Sequence, residues 1–512
     1  MNAHLLLSLP IIWPLLGVAL CCMLWSRPRA QRITSLVVSA GLLLSSLALL
    51  AATWDGTVLA TQFGGWAAPF GISFVGDMLS AAMVVITGLM AVAVGIYGLA
   101  GDAEAREAAF YHPLYQGLLL GVTGAFLTGD IFNLYVWFEV MLISSFGLLA
   151  LGGTREQLDA GVKYVTLNLV ATTLFLICVA FLYGLTGSLN MADLARILPT
   201  VENQGLVTTI AVLFLVAFGS KAAVFPLFFW LPASYHTASA PIVAIFAALL
   251  TKVGVYAILR SFTLIFDLSL GFTAPVIGVV AALTMVTGVL GAAAHFDIRK
   301  ILSFHIISQI GYMLLGIAVA TPLAIGGAIL YVIHHIIVKA NLFLLAGVIN
   351  RAGGSFELKE VGGLYKTLPW LGVLFLVPAL SLAGLPPLSG FWSKFVVVKA
   401  SLDAGHALLA ATALAVGVLT LYSMLKIWNE AFWKAAPAAS TTATERWLAD
   451  TGTRRVMLTP IVILAAITLT IGVMAEPFIA FSLRAGEQLL DKNAYVEAVL
   501  GPGPQRSAEW QP

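Results

Sequence analysis

The sequence predicts an all-α polytopic membrane protein of about 14 transmembrane helices, with two inverted repeats of five helices that each hold one broken helix, near 221–232 and 378–394. Three observations predict it. Apolar runs long enough to cross a bilayer recur with only short polar breaks, basic residues collect in alternate loops, and two runs are interrupted by proline with a lysine close by. Of 512 residues, 60% are hydrophobic and only 10% are charged, with a mean hydropathy of +0.99, which places the chain in lipid rather than water.

The runs, each near the 20 or so residues a spanning helix needs, extend over about 4–25, 33–54, 72–100, 112–129, 131–151, 162–186, 207–231, 239–262, 274–295, 301–320, 322–350, 369–402, 406–433 and 456–484. The first, roughly Leu5 to Trp25, lacks a positive leader and is too long for a signal segment, so it reads as a retained helix. The sizeable polar stretches are about 435–455 and a tail from about 485. Alternate loops carry Arg27, Arg29 and Arg32; Arg106; Arg155 and Lys163; Arg299 and Lys300; Arg351, Lys359 and Lys366; then Lys426, Lys434, Arg446, Arg454 and Arg455. The remaining loops and the tail hold Arg196, Arg260, Lys399, Arg484, Lys492 and Arg506. Short cytoplasmic loops are the basic ones, so an even number of spans puts both termini outside.

A net charge of +2 with scattered basic residues gives no footprint for nucleic acid. Cys21, Cys22 and Cys178 sit in apolar runs without metal spacing and read as buried packing thiols. The chain shows no phosphate-binding glycine loop and no nucleophile elbow, so neither soluble-substrate enzymology nor a cofactor is expected.

What remains are ionisable residues inside apolar runs: Glu139, Lys221, Lys252, Lys339 and Lys394. At the centre of a span each lysine costs roughly 2.5–3.5 kcal/mol, and intramembrane charges are functional by default. Glu139 needs a partner, and Lys221 is the candidate, each favouring the charged form of the other. A static pair that fixes helix packing is the bland alternative. Lys221 is followed by Pro226 and Pro232, and Lys394 is preceded by Pro378, Pro386 and Pro387; such breaks are tolerated where the chain is buried or lines a polar cavity. His335 and Lys339 fall one turn apart on one helical face and can hand a proton on, while His334 points about 100° away towards another helix. Two histidines with no acidic or thiol neighbour make a poor metal site. Lys252 either bridges the two halves or snorkels outward; Ser220 and Thr251 are polar neighbours of the lysines. Asp77, Asp130 and Arg260 fall near outer helix ends and read as interfacial anchors, and Asp297 with Arg299 and Lys300 as a solvated turn.

The segments Gly129-Asp-Ile-Phe-Asn-Leu-Tyr-Val-Trp-Phe-Glu139, Ser220-Lys221 with Leu231-Pro-Ala-Ser-Tyr-His236-Thr-Ala-Ser-Ala-Pro241, and Gly384-Leu-Pro-Pro-Leu-Ser-Gly-Phe-Trp-Ser-Lys394 resemble the antiporter-like subunits shared by respiratory complex I, membrane-bound hydrogenases and Mrp-type cation/proton antiporters. The resemblance spans about 70–430. It implies that Glu139 pairs with Lys221, that Lys252 leads onward, that Lys394 serves the other half-channel, and that His335 and Lys339 lie between. The 14 spans, the lysine at 394 and the Phe-Asn-Leu-Tyr-Val-Trp-Phe-Glu run are most similar to the D-subunit branch of the Mrp antiporters. That branch implies a subunit passing protons for exchange against Na+ or another monovalent cation, in the inner cell membrane, with companion membrane subunits. The alternatives are a proton-pumping subunit of a redox complex and a passive scaffold. The implied division is 1–110 (helices 1–3), 111–262 (first repeat), 263–433 (second repeat) and 434–512 (cytoplasmic loop, helix 14 and external tail).

Overall fold

The computed structural model describes residues 2–100, 110–266, 268 and 272–501, and for 438 and 439 the backbone alone. Arg106 and Arg506 lie outside the described residues. Among the described residues, twelve helices are long and apolar enough to cross a membrane. In chain order, the long helices are α1 (Ala3–Met23), α2 (Pro28–Thr53), α3 (Met78–Gly98), α4 (Tyr111–Leu127), α5 (Ile131–Ala150), α6 (Arg155–Thr186), α7 (Gln204–Ala222), α8 (Ala240–Ile265), α9 (Thr273–Ala294), α10 (Ile298–Val319) and α11 (Pro322–Gly353). Then come α12 (Pro369–Ala383) and α13 (Ser389–Asp403), the two halves of the twelfth run, followed by α14 (Ala407–Trp433), α15 (Thr451–Val473), α16 (Ala475–Leu490) and α17 (Lys492–Leu500). The fourteen runs are thus the twelve long helices, the shorter α4, and α12 with α13.

Three helices make the centre. The apolar window of α8 is 100% buried, and those of α10 and α11 are 94% buried, against 39% for α1 and α6. A helix apolar on all sides and covered on all sides is a core helix, so the polar residues of α8, α10 and α11 face neighbouring helices rather than lipid. Their packing is close. A Cβ at Gly254 of α8 would lie 2.5 Å from the Ala222 backbone nitrogen, and one at Gly288 of α9 would lie 2.4 Å from the Ser308 nitrogen on α10. No side chain fits at these contacts, which lets the helix backbones touch.

The structure corrects four expectations. The run 72–100 does not begin as helix: Ser73–Gly76 is a strand, β2, paired antiparallel with β1 (Leu59–Gln62), and α3 starts only after Asp77 caps it through the Ser80 amide. The β2 stretch is short and apolar and runs directly into α3, so it reads as the start of a long apolar run. The last run does not continue from 456 to 484, because α15 stops at Val473. Its continuation, α16, turns to lie across the start of α11, where a Cβ on Gly326 would meet the Leu483 backbone at 2.9 Å. The described part of the tail is therefore helical and packed. Gln488 accepts from the Met78 amide at 2.9 Å and donates to the Gly56 carbonyl at 2.6 Å, which binds α16 to the start of α3. Cys22 is exposed on the chain surface, whereas Cys21 and Cys178 are buried. Finally, Asp77 and Arg260 are not interfacial anchors. They form a buried ion pair at 2.6 Å, with side-chain exposures of 2% and 4%, which joins α3 to α8.

Candidate functional site

The first lysine stands where α7 breaks. Ala223 takes a left-handed backbone at φ 61° and Pro226 follows, so the helix cannot continue. The groups released are bonded again: the Trp230 indole donates to the Ser220 carbonyl at 2.9 Å, and the Phe225 amide donates to the Thr284 hydroxyl of α9 at 2.9 Å. Lys221, in the last turn of α7, turns towards α6 and donates to the Asn168 carbonyl at 3.1 Å, with its ammonium 5.8 Å from the centre of the Phe138 ring. Glu139, next to Phe138, has one buried carboxylate oxygen with no hydrogen-bond partner. The expected contact pair is therefore not a direct ion pair here. A backbone carbonyl holds the ammonium instead. Asn168 has no sequence signature for this role, since it contributes only its backbone.

The second lysine is at the heart of α8. A π-turn over Phe246–Leu250 loosens the backbone, and Lys252 donates to the Ala247 carbonyl within it. It is fully buried, so it does not snorkel outward. The Thr251 hydroxyl beside it is buried without a protein partner. Gly254, against the end of α7, brings this helix beside the first break.

The π-turn of α8 packs against α11, whose His335 and Lys339 are fully buried. The two lie on one face as their spacing requires, and Lys339 donates to the Leu302 carbonyl of α10 at 3.1 Å. One turn along α10 stands His305, a residue that sequence reasoning missed although it lies within the run 301–320. It is fully buried, neither of its ring nitrogens nor those of His335 has a protein partner, and on α10 it stands between Leu302, which accepts from Lys339, and Tyr312, whose ring faces Lys394. His305 thus lies on the helix that touches both α11, at Leu302, and the lysine of the second break, at Tyr312.

At that break Gly384 takes φ 93° and closes α12, Pro386 and Pro387 follow, and α13 begins at Ser389. Lys394 reaches back over Gly384 and donates to the Ala383 carbonyl at 3.0 Å, with its ammonium 4.8 Å from the centre of the Tyr312 ring. The position is 9% exposed. His334 does bond a neighbouring helix: its Nδ1 meets the Ser389 hydroxyl at 2.8 Å, which meets the Ser381 hydroxyl at 2.9 Å, and that hydroxyl accepts from the Gly390 amide. His334 therefore pins the two halves of the twelfth run to α11. Asp297 caps α10 and pairs with Arg299 at 2.9 Å, the turn expected of it. Among the described residues no cluster of three metal-ligating side chains occurs.

Glu139, Lys221, Lys252, His335, Lys339, His305 and Lys394 thus stand within the bundle, on α5, α7, α8, α11, α10 and α13. Titratable groups inside apolar helices of this kind mark a multi-pass membrane protein that holds charge within its spans. The chain belongs to the NADH:quinone oxidoreductase/Mrp antiporter transmembrane family, whose profile matches residues 128–420. It is 46% identical to the D subunit of the Na(+)/H(+) antiporter of Alkalihalophilus pseudofirmus over 497 residues, 97% of this chain and 99% of that one. It is 41% identical to the protein of the same name from Bacillus subtilis, over 96% of this chain and 98% of that one. A chain of the Mrp complex from Dietzia superposes with a TM-score of 0.87 at 35% identity, covering 96% of this chain and 99% of that chain.

Proposed function

We propose that this chain is the proton-translocating subunit of a multisubunit antiporter that exchanges Na+ or another monovalent cation for protons. Protons pass from Lys221 through Lys252, His335, Lys339 and His305 to Lys394, with Glu139 setting the field at Lys221. One observation carries this: four lysines, none more than 9% exposed, stand in one bundle, held by backbone carbonyls rather than by carboxylates. A lysine fixed by a carboxylate keeps its proton, whereas a desolvated one held only by a carbonyl can release it. The unbonded nitrogens of His305 and His335 and the amide of Asn341 offer bonding sites to water along the same line.

Full-length identity to antiporter subunits favours this reading over a redox-driven pump. The chain is a transporter subunit rather than an enzyme, and it works with companion membrane subunits. Both termini lie outside the inner cell membrane, with the basic loops within, and the two five-helix repeats span 111–262 and 263–433.

Hard cations take oxygen ligands, and this row offers ammonium and imidazole groups, so Na+ passes at least partly elsewhere in the assembly. The chain expressed alone is therefore expected to insert and fold without catalysing Na+-dependent proton exchange, and co-expression of its companions is expected to restore it. Dye-monitored pH gradients in inverted vesicles measure both. Strong exchange by the purified single chain would contradict the division of labour.

A further inference from the structure

The joint between α12 and α13 is bridged by more than its lysine. α12 ends at Ala383 and α13 begins at Ser389. Beside the joint the two halves touch closely: a Cβ on Gly390 would stand 1.8 Å from the Ser381 carbonyl oxygen, so only glycine fits. Two sets of contacts cross from one half to the other. The first is the Lys394 ammonium on the Ala383 carbonyl at 3.0 Å. The second is a row of hydrogen bonds, from the Gly390 amide to the Ser381 hydroxyl at 3.1 Å, between the Ser381 and Ser389 hydroxyls at 2.9 Å, and between Ser389 and Nδ1 of His334 on α11 at 2.8 Å. Ser381, Ser389 and His334 are each no more than 1% exposed.

Counting donors gives the row a direction. The Gly390 N–H can only donate, so the Ser381 hydroxyl accepts it and spends its own hydrogen on Ser389. Ser389 then spends its hydrogen on Nδ1 of His334, and every hydrogen from Gly390 to that nitrogen has an acceptor. His334 must therefore hold its proton on Nε2, the nitrogen without a protein partner. A hydrogen on Nδ1, in the other tautomer or in the imidazolium, would make Ser389 the acceptor and leave one serine hydroxyl hydrogen of the row unpaired in a buried place. The row needs a ring that keeps its proton where it is.

We infer that His334 is a positioning residue for Lys394: its neutral ring, accepting at Nδ1, anchors the row that clamps the start of α13 to α12, and so holds the Lys394 ammonium at the Ala383 carbonyl. Lys394 follows Gly390 by one turn in α13, and Ala383 follows Ser381 by two residues in α12, so the clamp and the lysine contact move together. His334 itself passes no proton, although it adjoins His335 in the chain. The inference rests on the proposed path, in which Lys394 takes the last proton, and adds to it a group that acts through that lysine.

The test uses the assembled complex in inverted vesicles, with dye-monitored exchange normalised to the amount of inserted subunit. His334→Leu and Ser389→Ala each remove a link of the row. Both are expected to lower the maximal rate roughly tenfold to a hundredfold, the cost of displacing a reacting group by about an ångström, with the half-saturating Na+ concentration unchanged. His334→Asn is expected to restore most of the rate, because its amide oxygen can accept from Ser389 but cannot carry a proton. The double variant of His334→Leu with Ser389→Ala is expected to be no slower than the slower single one, since both break one row. A rate in His334→Asn as low as in His334→Leu, parental rates in both single variants, or losses that add in the double variant would each overturn the inference. Where His334→Leu fails to assemble, a parental rate in Ser389→Ala or a lost one in His334→Asn overturns it. Lys394→Ala separates the two claims: parental exchange there removes the path, whereas lost exchange there beside a parental rate in Ser389→Ala removes only the clamp.

Discussion

Lys252→Met is expected to leave the assembled antiporter at least as stable to heat as the parent while lowering proton exchange by roughly a hundredfold or more, the contribution of a positioned proton-transfer group. The two readouts separate because Lys252 is fully buried and bonded only to the Ala247 carbonyl of its own helix. Replacing it by an unbranched apolar side chain removes a buried charge that costs roughly 2.5–3.5 kcal/mol near the membrane centre. Thermal unfolding in detergent and dye-monitored exchange in vesicles measure the two effects. A stable variant with full exchange would remove Lys252 from the path, and a variant that unfolds would make it a structural residue.

Glu139→Ala and Lys221→Ala are each expected to reduce exchange to near background while the protein still inserts. The reason differs for the two. Lys221→Ala deletes the group proposed to receive the proton and leaves the Asn168 carbonyl without its donor. Glu139→Ala breaks no bond of the lysine, because the two are not in contact, and acts only by removing the negative field beside it. Glu139→Gln, which keeps shape and loses charge, is therefore expected to match Glu139→Ala. Exchange near the parental level in Glu139→Gln would show that the carboxylate serves packing alone.

Much of this site is legible in the sequence because charge is scarce there. Lys221, Lys252, Lys339 and Lys394 stand out against their apolar runs, and prolines mark the two breaks without any structure. His305 is equally visible but lacks a charged neighbour in sequence, and only the approach of α10 to Lys339, at Leu302, and to Lys394, at Tyr312, gives it a place. The Asp77–Arg260 pair joins distant parts of the chain, and each partner alone looks like an ordinary charge at a helix end. Tyr256 and Tyr495 flank that arginine at 5.4 and 5.3 Å from their ring centres, so α17 helps to bury it. The turn at Met474 is hidden for a different reason: apolar residues continue across it. The buried face of α16, with Phe481, Ser482, Ala485 and Leu489, repeats at helical spacing, but a window tuned to spans reads it as more of the preceding helix.

On the proposed path the buried lysines carry protons by gaining and losing them, not by supplying a fixed positive field. Lys221→Arg tests this most directly, because it conserves the charge while the guanidinium stays protonated at every accessible pH. The measurement is the initial rate of Na+-driven pH change in inverted vesicles carrying the complete complex, normalised to the amount of inserted subunit. A proton-carrying Lys221 predicts a rate close to that of Lys221→Ala. A parental rate in Lys221→Arg would contradict it and would assign Lys221 to an electrostatic role, with the proton travelling by another route.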